Sequence, residues 1–122
     1  MYKILVIDDE APIRKLLRRL LEKNDYDVMA AKNGNEGLKL FKVHRHDLVI
    51  TDLLMPDKEG LETIREVKEI KPDVKIIAIT GGGTAAPEMY MRLAKQFGAH
   101  HAFSKPLEND AFLSTVQEIL SG

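Results

Sequence analysis

Five side chains in this sequence have the types and placements for one piece of chemistry. Asp8 and Asp9 follow one short apolar run, Asp52 ends another, Thr80 ends a third, and Lys105 follows a weak fourth. If they converge, three carboxylates repel one another. At ~4 Å and an effective dielectric of ~20, one such pair costs about 4 kcal/mol. Something cationic must offset that. Lys105 is one candidate, and a divalent metal is the stronger one; all-oxygen ligation favours Mg²⁺. A carboxylate beside Mg²⁺, an ammonium and a hydroxyl suits phosphoryl transfer. The metal and the lysine neutralise the transferring oxygens, and Asp52 is the nucleophile that forms an acyl phosphate. A single acid after an apolar run is an ordinary polar loop end. Residues of this kind at the end of one run after another are not.

The elements that must position them follow a regular order. Ile4 to Ile7 is a continuous apolar run, the pattern of a strand buried on both faces. Pro12 then opens a helix with Ile13, Leu16, Leu17, Leu20 and Leu21 as its inward stripe. Arg14, Lys15, Arg18 and Arg19 read as its solvated face. Val28 to Ala31 is a second strand, and Asn33 with Glu36 forms a capping box for a helix carrying Leu38, Leu40 and Phe41. Leu48 to Thr51 is a third strand running into Asp52, with Pro56 and Gly60 in the turn beyond it. Leu61, Ile64, Val67 and Ile70 mark a third helix stopped by Pro72. Val74 to Ile79 runs into Thr80 and the glycines 81–83. Pro87 then opens a helix with Tyr90, Leu93, Ala94 and Phe97 on one face, capped by Gly98. Ala102 and Phe103 mark the fifth strand, and Leu107 to Leu120 the last helix, with Phe112, Leu113, Val116, Ile119 and Leu120 inward. Five alternations of this kind predict a parallel sheet with right-handed crossovers and helices on both faces. Ligands of such sheets bind beyond the carboxyl ends of the strands, where the five residues fall.

Composition narrows the function further. The 122 residues suit one compact domain, read as residues 1–122. Eighteen basic residues against 19 acidic ones give a net charge of −1, without the basic excess that non-specific nucleic-acid binding draws on. There is no cysteine, which excludes disulfides, thiolate catalysis and cysteine zinc sites. No apolar run approaches the ~18 residues of a membrane span. The N-terminal run is too short for a secretory signal, so the expected location is cytoplasmic. The four histidines, His44, His46, His100 and His101, read as surface or loop residues rather than metal ligands.

The site residues together resemble the receiver domain of two-component response regulators. The likeness spans essentially the whole chain. It rests on Ile4-Leu5-Val6-Ile7-Asp8-Asp9-Glu10, on the acceptor motif from Asp52 through Pro56 to Gly60, on Thr80, and on Lys105-Pro106. The resemblance implies a three-layer, flavodoxin-like doubly wound fold, with five parallel strands in the order 2-1-3-4-5 and five helices. It implies that Asp52 accepts a phosphoryl group from a phosphohistidine of a sensor histidine kinase or a histidine phosphotransfer protein. Asp9 and Asp52 then bind Mg²⁺ (or Mn²⁺) directly, the backbone carbonyl of Leu54 is a third ligand, and Asp8 holds the metal through water. Thr80, Gly81 and Lys105 form the phosphoryl-binding and switch set, and the Lys105–Pro106 peptide is cis. The chain then signals to a downstream protein by contact, without direct nucleic-acid or membrane binding. It is not an enzyme beyond self-phosphotransfer and slow autodephosphorylation.

Three departures qualify the likeness. Ala102 stands where the family usually has a switching aromatic, and Phe103 reads as core. The stretch from Thr80 to Gly98 is about three residues longer than the family pattern, the surplus lying in residues 81–86, which read as a mobile loop. Leu54 is apolar two residues after Asp52, so its side chain cannot orient a hydrolytic water. The alternatives are a small Mg²⁺-dependent phosphatase with an aspartyl nucleophile, a receiver cut from a longer regulator, a pseudo-receiver, and a nucleotide- or flavin-binding domain. The last would want glycines where Asp8-Asp9-Glu10 stand.

Overall fold

The computed structural model describes residues 1–55, 60–81 and 87–122. Strands and helices alternate as β1 (Lys3–Ile7), α1 (Ala11–Glu22), β2 (Asp27–Ala31), α2 (Gly34–His44), β3 (Leu48–Asp52), α3 (Gly60–Ile70), β4 (Lys75–Thr80), α4 (Pro87–Phe97), β5 (His101–Ser104) and α5 (Asn109–Ser121). The strands pair in parallel in the order β2-β1-β3-β4-β5. This is the flavodoxin-like, three-layer arrangement the sequence predicts. Residues 56–59 of the acceptor motif, and 82–86 of the stretch read as a mobile loop, lie outside the described residues.

The continuous apolar runs have a simple cause. Successive strand side chains point to opposite faces, and both faces are covered. Leu5, Ile7, Val49, Ile76 and Ala78 pack with Phe41, Ile64, Val67 and Ala94 from α2, α3 and α4. Ile4, Val6, Leu48, Ile50, Ile77 and Ile79 pack with Leu17, Leu21, Phe112, Val116 and Leu120 from α1 and α5. A one-residue slip in any central strand would exchange the two sets, so register is fixed from both sides. The helix ends follow local chemistry. Asn33 caps α2 by accepting the Glu36 N–H at 2.8 Å, and the Glu36 carboxylate accepts the Lys32 N–H at 3.3 Å. Gly98 closes α4 at φ +119°, where a side chain would be strained and would also meet Lys68.

Several inward assignments need correction. Leu16 is 39% exposed and Phe97 41%, because the buried faces of α1 and α4 are narrower than their apolar stripes. Leu107 precedes α5 rather than opening it, although it still packs on the α1–α5 side. Two of the basic residues on α1 are not simply solvated: Arg18 Nη2 donates to the Val28 carbonyl at 3.1 Å and Arg14 Nη1 to the Asp8 carbonyl at 2.8 Å. Phe103 packs on the α1–α5 side, its ring 5.3 Å from that of Phe112, whereas Ala102 faces the α2–α4 side, as Tyr90 does.

His46 is the largest correction. It is buried rather than at the surface, stacked 6.0 Å from Phe41, with Nε2 3.4 Å from Met29 Sδ. Burial lowers its pKa to about 4, helped by the charges of His44 and Lys3 and opposed by those of Asp27 and Asp47. In the unfolded chain the group titrates near 6.5. The stability it contributes is therefore complete above pH 6.5 and is lost as pH falls through about 4. Denaturant titrations should show about 3 kcal/mol of stability lost over that interval through this group. In a His46→Gln variant that share of the acid dependence should disappear; an unchanged pH profile would contradict the assignment.

Candidate functional site

The parallel sheet brings every strand's carboxyl end to one edge. The order reverses between β1 and β3, the crevice where open sheets take ligands. Asp8 follows β1 directly, its N–H donating to the Ala31 carbonyl at 3.1 Å. Asp52 is the last residue of β3, paired in register with Ile79 of β4. Thr80 ends β4, and its carbonyl accepts the Lys105 N–H at 2.8 Å, which ties the segment after β5 to the same edge. The Lys105–Pro106 peptide is cis.

Carboxylate oxygens of Asp8, Asp9, Glu10 and Asp52 all lie within 4.8 Å of one another. Asp8 and Asp52 are buried, whereas Asp9 and Glu10 are exposed. Lys105 Nζ enters this group from the β5 side. It donates to Glu10 Oε1 at 2.6 Å and to Asp52 Oδ2 at 3.2 Å, and lies 3.1 Å from Asp8 Oδ2. The Asp8 contact is a charge contact without hydrogen-bond geometry, so that buried Oδ2 has no hydrogen-bond partner among the described residues. The other oxygens are held by backbone: Asp8 Oδ1 accepts the Glu10 N–H at 2.9 Å and Asp52 Oδ1 the Leu54 N–H at 3.2 Å. Thr80 Oγ1 is buried and likewise without a partner among the described residues. Gly81 follows it, half-buried.

The electrostatics reflect this crowding. Burial raises the pKa of Asp52, and the neighbouring Asp8 charge raises it further; the Leu54 N–H and Lys105 oppose the rise. Burial also raises Asp8, against the Glu10 N–H and Lys105. Burial works against the Lys105 ammonium, but Glu10, Asp8 and Asp52 outweigh it and hold its pKa above lysine's ordinary value. The site is thus an all-oxygen donor set with excess negative charge and a buried carboxylate oxygen, Asp8 Oδ2, that has no hydrogen-bond partner among the described residues. Those are features a hard divalent cation fits.

All the site residues named from the sequence lie at this edge, and Asp8, Asp9, Asp52 and Lys105 meet in one cluster. Two participants were not singled out. Glu10 belongs to the motif after β1, but nothing local says that its side chain reaches Lys105, 95 residues away. Arg14 reads as solvated, yet its guanidinium fixes the Asp8 carbonyl.

Comparison with known proteins agrees with this geometry. Residues 4–117 match the response regulator receiver domain family. The chemotaxis protein CheY of Bacillus subtilis is 31% identical over 121 residues, covering 98% of each chain. The sporulation initiation phosphotransferase F of the same organism is 33% identical over 119 residues, covering 97% of this chain and 93% of that protein. Among solved structures, a response regulator receiver domain protein from Clostridium thermocellum superposes with a TM-score of 0.90 at 33% identity, over 99% of this chain and 95% of that one. The chain belongs to the response regulator receiver domain family. It is a phosphorylation-dependent signalling module of the two-component type. Receiver domains bind Mg²⁺ at an acidic pocket and interact with histidine kinases or phosphotransfer proteins, and this chain carries an acidic cluster at Asp8, Asp9, Glu10 and Asp52. No helix among the described residues is long and apolar enough to cross a membrane.

The backbone beside Asp52 is tightly confined. A Cβ on Gly60 would collide with the Asp52 carbonyl oxygen and stand 2.6 Å from Leu53 Cα, both of them backbone atoms that cannot rotate away. Gly60→Ala should therefore destabilise the fold by about 1–3 kcal/mol in denaturant titration. A variant as stable as the parent would contradict this close approach.

Proposed function

We propose that Asp52 is the phospho-acceptor of a receiver spanning residues 1–122, and that its donor is a phosphohistidine on a sensor histidine kinase or a histidine phosphotransfer protein. The observation that carries this reading is the buried Asp52 carboxylate with the Lys105 ammonium at 3.2 Å and the Asp8 and Asp9 carboxylates beside it. Asp8, Asp9 and Asp52, with the Leu54 carbonyl, are the groups that would hold Mg²⁺ (or Mn²⁺). Bound there, the ion supplies neutralising charge for the acceptor carboxylate and the transferring oxygens.

The chain's own residues do the remaining work. One Asp52 carboxylate oxygen attacks phosphorus, an acyl phosphate forms, and the phosphorus–nitrogen bond of the donor breaks with its electron pair returning to the imidazole. The Leu54 N–H orients the acceptor carboxylate. Lys105 and the Thr80 hydroxyl, which has no partner among the described residues, receive the phosphoryl oxygens with the adjoining Gly81. The modified residue then biases the domain between two conformers, and a downstream protein reads the difference by contact. Turnover is limited to self-phosphotransfer and slow loss of the phosphoryl group.

Incubation with Mg²⁺ and acetyl phosphate, read by intact mass, should add one phosphoryl group to the parent and none to Asp52→Ala. Chelating the metal should slow the gain by about a hundredfold or more. Turnover of acetyl phosphate without a phosphoprotein would favour the phosphatase alternative instead. Leu54 contributes an apolar, half-buried side chain two residues past the acceptor. Leu54→Asn should therefore speed loss of the phosphoryl group by at least about threefold, at least about 0.6 kcal/mol of barrier. Loss no faster than in the parent would contradict that role.

A further inference from the structure

The shortest contact of Lys105 is to a carboxylate outside the set assigned to metal and phosphoryl group. Glu10 Oε1 lies 2.6 Å from Nζ, against 3.1 Å for Asp8 and 3.2 Å for Asp52. The Glu10 side chain is 57% exposed, whereas those of Lys105 and Asp8 are 10% and 1% exposed. The ammonium thus sits between buried aspartates on one side and a solvent-facing glutamate on the other. Glu10 occupies the N-cap of α1, yet its side chain makes no capping hydrogen bond there. Its backbone is pinned instead: the N–H goes to Asp8 Oδ1, and the carbonyl accepts the N–H groups of Ile13 and Arg14. The side chain therefore starts from a fixed point beside the site and is committed to Lys105.

We propose that Glu10 is a positioning residue that tethers Lys105 at the mouth of the site and must release it when a phosphoryl group reaches Asp52. The proposal rests on Asp52 being the acceptor. A lysine ammonium has three donors, and here Glu10, Asp52 and Asp8 already surround it. A phosphoryl group brings three strong acceptor oxygens and roughly −1.5 to −2 of charge. Two of the ammonium's donors are committed, to Glu10 and to Asp52, so Lys105 can turn more than one donor to the phosphoryl oxygens only by loosening one of those bonds. The aspartates are fixed by the sheet edge and by backbone N–H groups, so the exposed glutamate is the partner that yields. Glu10 accordingly opposes transfer by holding the ammonium outward. Once released, its carboxylate becomes a newly free charge at the start of α1, a local signal that the site is loaded.

A double-mutant cycle isolates the tether from the bare charge. Parent, Glu10→Gln, Lys105→Met and the double variant are compared at high ionic strength, where exposed charge is screened. Lys105→Gln replaces Lys105→Met if the latter does not fold, since either substitution removes the ammonium that Glu10 holds. With Lys105 present, Glu10→Gln should raise the rate of phosphorylation by acetyl phosphate by about threefold or more, with no gain in the Lys105-substituted background. Calorimetry on the unphosphorylated proteins gives a second readout. Freed from Glu10, Lys105 competes harder for Asp8 and Asp52, so Glu10→Gln should weaken Mg²⁺ binding by about threefold, and by less in the substituted background. Equal effects in both backgrounds overturn the tether. A parent that takes no phosphoryl group overturns the acceptor reading and the release step with it, while the Mg²⁺ comparison still decides whether Glu10 restrains Lys105.

Discussion

One ammonium held among carboxylates that repel one another is the interaction on which the rest of this structure depends. Asp8 and Asp52 are buried, and Asp9 and Glu10 crowd the same few ångströms. Removing any of these from water is costly, and their mutual repulsion adds to the cost. Lys105 offsets part of it, and backbone N–H groups from Glu10 and Leu54 offset more. On the proposed function, the remaining excess of negative charge is what draws a cation and, with one, a phosphoryl group. A site fully neutralised by its own side chains would fold more comfortably and would have nothing left to recruit.

The fold tolerates this because the strain is confined to one edge of a well-packed sheet. Behind the carboxylates, β1, β3 and β4 are buried on both faces among Leu5, Val6, Ile50, Ile77 and their neighbours. Parallel pairing delivers Asp8, Asp52, Thr80 and the Lys105 segment to the same edge without any long-range design beyond register. Close backbone approach at Gly60, and Arg14 on the Asp8 carbonyl, hold the acids in place from both sides. Site and fold are thus one problem: moving Asp52 means moving the end of a central strand.

Much of this was legible in the sequence, for identifiable reasons. Runs such as Ile4 to Ile7 and Ile76 to Ile79 have the length and β-branched content of strands covered on both faces, and the acids, Thr80 and Lys105 stand where strands end. Less legible were features fixed by partners distant in sequence. The apolar stripe of α1 does not say how wide a face α5 and the sheet will cover, so Leu16 emerged exposed. His46, between α2 and β3, has the local signature of a loop histidine; only Phe41 and Met29, brought together by the fold, bury it. Glu10 looks like a surface charge because its partner is a lysine near the opposite end of the chain, and Arg14 does because its partner, though only six residues away, is a main-chain carbonyl that leaves no mark in the residue pattern.

The central claim is that the Asp52 carboxylate is the atom group that bonds to phosphorus. Borohydride reduction of the phosphorylated protein, followed by peptide mass spectrometry, tests it most directly, because an acyl phosphate is reduced to the corresponding alcohol. The account predicts homoserine at position 52 and at no other acidic position. Reduction at Asp8, Asp9 or Glu10, or a phosphoryl group that survives reduction on a histidine or on Thr80, would contradict it.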